Sequence, residues 1–153
     1  MVNQVQFREA RITDLNTIVK MLADDDLGAS RERYESPVPS SYSNAFESIN
    51  KDPNNTLLLA LLNDEIVGVL QLTFIPNLTY QGSWRSMIEG VRVSTKFRSK
   101  GIGQSLIQEA IRQSKAQGCR MVQLTTDKTR PDAIRFYESL GFISSHEGMK
   151  LHL

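Results

Sequence analysis

The sequence predicts an α/β fold: a mixed, mostly antiparallel central sheet of about seven strands flanked by about four helices. Three observations carry that expectation. Apolar runs at 56–63 and 65–75 meet across Asn63-Asp64, a dipeptide that favours the tight turn of an antiparallel hairpin. Strand–helix–strand units follow, in which VRV leads into an amphipathic helix and then the buried run MVQLTT. The chain has 153 residues, 40% apolar and 23% charged, which suits a single domain over 1–153 built on one core.

The elements can be justified in order. VQFREAR (5–11) alternates and reads as the first strand. Thr13 is placed to cap a helix whose apolar face is Leu15, Ile18, Val19 and Leu22. The polar stretch ADDDLGASRERYESPVPSS holds two prolines and little periodicity, so a long loop is expected. SYSNAFESINKD (41–52) is a second helix closed by Asp52-Pro53. The hairpin strands come next, then SWRSMIEGVRVS (83–94) as a strand. Ile102, Leu106, Ile107, Ala110 and Ile111 share one face of a third helix, with Gly118 placed to end it. MVQLTT (121–126) is a strand. Pro131 opens a fourth helix containing Ala133, Ile134, Phe136, Tyr137 and Leu140, and Gly141 lies just past its end. FISSH (142–146) and MKLHL (149–153) form a last hairpin around Glu147-Gly148, which completes seven strands and four helices.

Composition excludes several function classes. A net charge of +1 is too balanced for a protein that lives on nucleic acid. No apolar run is long enough to span a bilayer, so no membrane partner is expected. The start, MVNQVQFREARITD, lacks the basic-then-apolar pattern of a signal peptide. A lone cysteine, Cys119, allows no internal disulfide and fits a reducing cytoplasm; it reads as a packing residue, with a reactive thiol as the alternative. His146 and His152 lack partner ligands, and no metal is expected.

Chemistry concentrates in FRSKGIGQSLIQEAI (97–111). The first N–H groups of a helix have no internal partner, and the helix dipole adds partial positive charge there. Glycines at 101 and 103 let a ligand approach the backbone, and Arg98 and Lys100 add charge, so an anion such as a phosphate fits. A glycine-rich helix start that binds nothing is the plain alternative. The dinucleotide fingerprint fails because Leu106 stands where a third glycine is needed, and no P-loop is present. What fits is R-x-x-G-x-G through Arg98, Gly101 and Gly103, directly after VRV. A second constellation, RPDAIRFYESLGF (130–142), lies one strand downstream. Core packing explains Phe136 there, whereas the Tyr137 hydroxyl needs a polar partner if buried.

These two segments, in this order, resemble the GNAT superfamily, the GCN5-related N-acetyltransferases. The resemblance covers most of the chain. Within the superfamily, QLTTDKTRPDAIRFYESLGF and SHEGMKLHL look most like the aminoalkylphosphonate N-acetyltransferase branch. In one departure, Arg130 stands where an asparagine is common in the family, which puts a coenzyme A contact from that side chain in doubt.

The resemblance implies acetyl-CoA as donor and a small primary amine as acceptor, in an N-acetyltransferase working by direct attack in a ternary complex. Its pyrophosphate would lie on the N–H groups of Arg98, Ser99, Lys100, Gly101, Ile102, Gly103, Gln104 and Ser105; pantetheine would pair like an added strand along Val91 and Val93, with Phe136 also in contact. A β-bulge common in the family would free the Val93 N–H for the thioester carbonyl, where it would stabilise the oxyanion. Tyr137, with a phenol pKa near 10, could protonate a thiolate whose conjugate acid has a pKa near 8.5. Strand alternation would put 89, 91 and 93 on one face, which makes Glu89 a candidate base working through water; pairing with an arginine is the other reading. Many relatives are homodimers, and MKLHL could join a partner's sheet. An acceptor that is a protein or peptide amine, and a non-catalytic acyl-CoA-binding module, are the rival readings.

Acceptor recognition falls to the variable loop and nearby strands. Asp24, Asp25 and Asp26 end the first helix, where negative charge opposes the dipole; a solvated loop would also explain them. Arg31, Arg33, Trp84 and Arg85 could contact an anionic acceptor, arginine being suited to phosphonate oxygens.

Overall fold

The computed structural model of the chain describes residues 4–153. Its sheet has five strands in the order β1-β2-β3-β4-β5: β1 (Gln6–Glu9), β2 (Asn55–Leu62), β3 (Glu65–Pro76), β4 (Trp84–Val93) and β5 (Met121–Leu124). The helices are α1 (Leu15–Ala23), α2 (Gly28–Arg31), α3 (Ser40–Lys51), α4 (Thr79–Gly82), α5 (Ile102–Ala116) and α6 (Pro131–Ser139). β1 to β4 pair antiparallel throughout. The β2–β3 turn forms where expected, with Asn63 and Asp64 both left-handed (φ 50° and 64°), the conformation a two-residue hairpin demands.

Alternation divides the sheet between two helical layers. Leu59, Leu61 and Val69 pack with Ile18 and Met21 of α1, and Leu15, Val19 and Phe46 pack beside them against Leu57. The opposite face takes α5. A Cβ on Gly68 would lie 3.4 Å from Ile102, at the close limit of ordinary van der Waals contact, so a small residue suits the approach of that helix. Ile102, Leu106, Ile107 and Ala110 are buried along α5. One polar contact crosses this layer. The fully buried hydroxyls of Ser86 and Ser114 lie 2.7 Å apart, and Ser114 donates to the Ala110 carbonyl at 2.7 Å. Ser114's proton is thereby used, so Ser86 is the donor to Ser114.

The start of α1 departs from expectation. Thr13 provides no cap; a 3₁₀ turn (Ile12–Asp14) precedes the helix. Asp14, buried, accepts from the Arg11 N–H at 2.7 Å and from both terminal nitrogens of Arg8 at 2.7 and 3.0 Å. A carboxylate can take three donors and a threonine hydroxyl one or two, which favours Asp14 as the organising residue. The Arg8 hydrogen bonds hold the Asp14 carboxyl below its ordinary range against the opposing effect of burial.

The expectation of seven strands and four helices is corrected to five and six among the described residues. Residues 142–153 contain no strand, and Met149, Leu151 and Leu153 are exposed. Period-two alternation marks faces but supplies no hydrogen-bonding partner, and a strand exists only within a ladder. The extra helices, α2 and α4, are single turns too short to show a period; α4 is interrupted by left-handed Tyr80 and Gln81. The chain divides into two compact units, one through Gln123 and one from Leu124 to Leu153. No helix among the described residues is long and apolar enough to cross a membrane.

Candidate active site

The C-terminal half of β4 carries an irregularity that alternation did not reveal. Gln71 pairs with Glu89 and Val69 with Arg92, so Gly90 and Val91 together face the single residue Leu70. Gly90 is left-handed (φ 60°), the geometry of a glycine-led β-bulge. The bulge therefore lies at Gly90–Val91, two residues before Val93. It also shifts the alternation. Glu89 and Arg92 now share the face of Gln71 and Val69, whereas Val93 shares the face of Gly68, Leu72 and Ile88. The expectation that 89, 91 and 93 share a face is corrected accordingly.

The bulge leaves Val93's backbone turned outward. The Ser94 N–H bonds Val67 at 2.9 Å, so the next pair, Gly68–Val93, directs its amides away from each other. The Val93 N–H and C=O thus point to the edge of β4 away from β3. β5 meets the start of β4, through Arg120 N–H to the Trp84 carbonyl (2.9 Å) and Arg85 to Gln123 (3.0 Å).

The following loop and helix start have the form an anion needs. Ser99 and Gly101 are left-handed (φ 62° and 78°). Gly101 is the N-cap of α5, no side chain caps the helix, and the first bond into it is Ser105 N–H to the Gly101 carbonyl at 3.0 Å. The N–H groups of Ile102, Gly103 and Gln104 precede any helical acceptor. A Cβ on Gly101 would meet nothing within 4 Å, so the approach is open. Lys100 stands over the Phe97 ring at 5.4 Å. These residues fit a pyrophosphate. Arg98, in contrast, turns back: it donates to the Val93 carbonyl (3.4 Å) and to the Asp24 carbonyl (3.2 Å).

On the Glu89 face, the α1–α2 corner meets β4. Asp25 forms an ion pair with Arg92 (2.8 Å), both side chains only 13–14% exposed, and it also accepts from the Gly28 N–H. Glu89 is exposed and forms no ion pair among the described residues. Tyr42, in the first turn of α3, donates to Glu32 (2.7 Å) and accepts from the Arg33 N–H (2.8 Å); burial raises its pKa.

In the second unit, Pro131 takes the first turn of α6 and left-handed Gly141 follows it, as expected. Tyr137 is half-buried in an aromatic group, edge-on to Phe136 (5.1 Å) and Phe142 (5.9 Å). The Phe142 N–H bonds the Tyr137 carbonyl at 3.1 Å, folding the chain back over the tyrosine.

The expected acceptor residues are not brought together. Trp84 and Arg85 pair with Pro76 and Ile75 at the far end of β4, about 25–30 Å from Val93 at 3.3 Å per residue. Arg85 is engaged there with Gln123, Thr79 and the Tyr80 ring. Arg31 bonds the Leu27 carbonyl, and Arg33 pairs with Glu35. Asp25 does reach the site, but as Arg92's partner. Sequence reasoning missed Gly90 and Arg92, although a glycine inside a strand is a recognised sign of a bulge. A cavity of about 150 Å³ between α3, β1 and β2 lies at the other edge of the sheet. Burial raises the Cys119 pKa, in keeping with a packing role. No group of three or more potential metal ligands occurs among the described residues.

A bulged strand, a left-handed loop and an uncapped helix follow one another along the chain. The acetyltransferase (GNAT) family model matches residues 21–142, a stretch that contains all three. The chain belongs to the GNAT family. Among GNAT relatives, aminoalkylphosphonate N-acetyltransferase of Salmonella typhimurium is 34% identical over 95 residues, 62% of this chain and 61% of that protein; the matched stretch thus spans about three fifths of that relative. A solved structure from Bacillus halodurans C-125, described as a transcriptional regulator, is 58% identical with a TM-score of 0.96, covering 98% of this chain and 100% of the other. The fold is also that of aminoglycoside N-acetyltransferase AAC(6')-Iy, solved in complex with CoA (TM-score 0.78, 17% identity, 98% of this chain and 95% of that one). Transferase chemistry with acetyl-CoA is the activity of this GNAT family.

Proposed function

We propose that residues 1–153 form one catalytic domain that transfers the acetyl group of acetyl-CoA to a small primary amine by direct attack in a ternary complex. An aminoalkylphosphonate is the favoured acceptor class, on the similarity to the Salmonella enzyme. The observation that carries the reading is the outward-facing Val93 amide beside the uncapped start of α5. Acetyl-CoA, when bound, supplies the activated acyl group and a thiolate leaving group.

The chain's residues would divide the work as follows. The N–H groups of the loop and of Ile102, Gly103 and Gln104 would hold the pyrophosphate, with Lys100 adding charge. The Val93 N–H would donate to the oxygen on which negative charge collects, a role worth about 3–4 kcal/mol where measured in other enzymes. Glu89 would take the amine's proton through water, and Tyr137 would give its own to the departing sulfur, a role that rests on the family motif. A cytoplasmic homodimer is the expected state in the cell.

The test is release of free thiol from acetyl-CoA with a panel of amines: aminomethyl- and aminoethylphosphonate, polyamines, amino acids, aminoglycosides and peptides with free N-termini. Turnover on one class, lost in Tyr137→Phe, supports the reading and names the acceptor. A second reading, a regulator, is favoured by the description of the 58% identical relative. It predicts acetyl-CoA binding without turnover on any amine.

A further inference from the structure

We infer that Arg92 and Arg98 are positioning residues that couple the outer edge of β4 to the α1–α2 corner, so that occupying that edge releases the corner on the acceptor side. The inference rests on the acyl-CoA reading of β4 given above.

Two carbonyls two residues apart on β4 are engaged by arginines. The Val91 carbonyl accepts from Arg92 (2.9 Å) and the Val93 carbonyl from Arg98 (3.4 Å). The same guanidiniums hold the corner: Arg92 pairs with the Asp25 carboxylate (2.8 Å), and Arg98 donates to the Asp24 carbonyl (3.2 Å). Thr95 adds a third tie, to the Asp24 carboxylate at 3.3 Å. A ligand that pairs with β4 as an added strand must bond the outward carbonyl of Val93, and Arg98 now holds that carbonyl.

The two arginines differ in strength. Arg98 is exposed and its bonds are long, so it yields. The Asp25–Arg92 pair is short and shielded from solvent, and removing either partner would strand a charge, so it stays. Asp25 also caps Gly28, where any side chain would collide with the Leu22 carbonyl. The corner is therefore stiff at Asp25–Gly28 and pinned there, while the Asp24 carbonyl is held by a long bond from Arg98, the side chain that a strand-like ligand displaces from Val93. Edge occupancy draws Arg98 away and loosens Asp24, whose bonds to Thr95 and Met21 remain, so that the corner pivots about Asp25.

Hydrogen exchange of the amides of residues 24–32 tests this, with and without coenzyme A at a concentration shown by calorimetry to saturate the protein. Exchange should quicken about two- to tenfold with coenzyme A, the change expected from losing one exposed hydrogen bond. Without coenzyme A, Arg98→Ala should already show the faster exchange, and Thr95→Val should move part of the way. Binding without faster exchange in this segment overturns the coupling and leaves the acyl-CoA reading intact. So does an Arg98→Ala protein that exchanges like the parent. Failure of the parent to bind coenzyme A overturns both.

Discussion

Replacing Gly90 with alanine isolates the energetic cost of the bulge on which the Val93 geometry depends. Residue 90 has φ 60°, and a Cβ there would find its nearest neighbour, Leu22 Cδ2, at 3.9 Å, an ordinary contact. Space is therefore not the problem; the backbone is. An L-residue in the left-handed region costs about 1–2 kcal/mol. Alanine recovers part of that, about 0.4–1 kcal/mol, by restricting the unfolded chain. The net loss should be about 1 kcal/mol, equivalent to about 2–4 °C in Tm for a domain of this size. Asparagine tolerates the left-handed region better, so Gly90→Asn should lose less than Gly90→Ala. Urea and thermal unfolding followed by circular dichroism measure both variants. A Gly90→Ala protein as stable as the parent would refute a left-handed residue 90. A larger loss for asparagine than for alanine would mean that side-chain crowding, not backbone strain, sets the cost.

Three further outcomes follow from the geometry. Asp14→Asn should destabilise by about 1–2 kcal/mol at pH 7, since it weakens charge-assisted bonds to a partly solvated Arg8. Because Asp14's folded pKa lies below its unfolded value near 3.9, the parent's advantage is complete above that value and is lost as pH falls through the folded pKa; paired urea titrations at pH 7 and pH 3 read this. Gly103→Asp puts a carboxylate in the first turn of α5, so the helix should gain about 0.3–1 kcal/mol while coenzyme A affinity falls at least tenfold, separable by unfolding and calorimetry. Tyr137→Phe keeps the aromatic packing with Phe136 and Phe142 and should lower kcat about 10²-fold with coenzyme A affinity unchanged, seen by comparing thiol-release kinetics with calorimetry.

What the sequence made legible was whatever short-range chemistry dictates. Asn63-Asp64 announced its turn because few residues accept two left-handed positions, and Gly101, Gly118 and Gly141 marked helix boundaries for the same reason. The run of α5 was readable because its apolar face repeats over fifteen residues. The misses are long-range. Gly90 looks like any strand glycine until its partner strand shows that two residues face one, and that pairing reversed the expected placement of Glu89. Asp24, Asp25 and Asp26 stood out as a conflict with the α1 dipole, but Asp25's partner, Arg92, lies 67 residues away and no local pattern links them. Trp84 and Arg85 were grouped with the site by chemical type alone, and the length of β4 separates them from it.

The Ser86–Ser114 hydroxyl pair has a consequence for aim. An apolar interface is forgiving of rotation, because one aliphatic contact replaces another at similar cost. A buried hydroxyl is not: turning α5 about its axis would leave Ser86 without an acceptor in a dry layer. The pair thus acts as a detent that indexes the helix against β4. Ser114 lies twelve residues from Ile102, about 18 Å along the axis. Over that lever arm, a small tilt at one end becomes a sideways sweep of the backbone amides at the other, and a turn about the axis re-aims them directly, so one hydroxyl contact far from any ligand keeps the opening of α5 trained on the same spot.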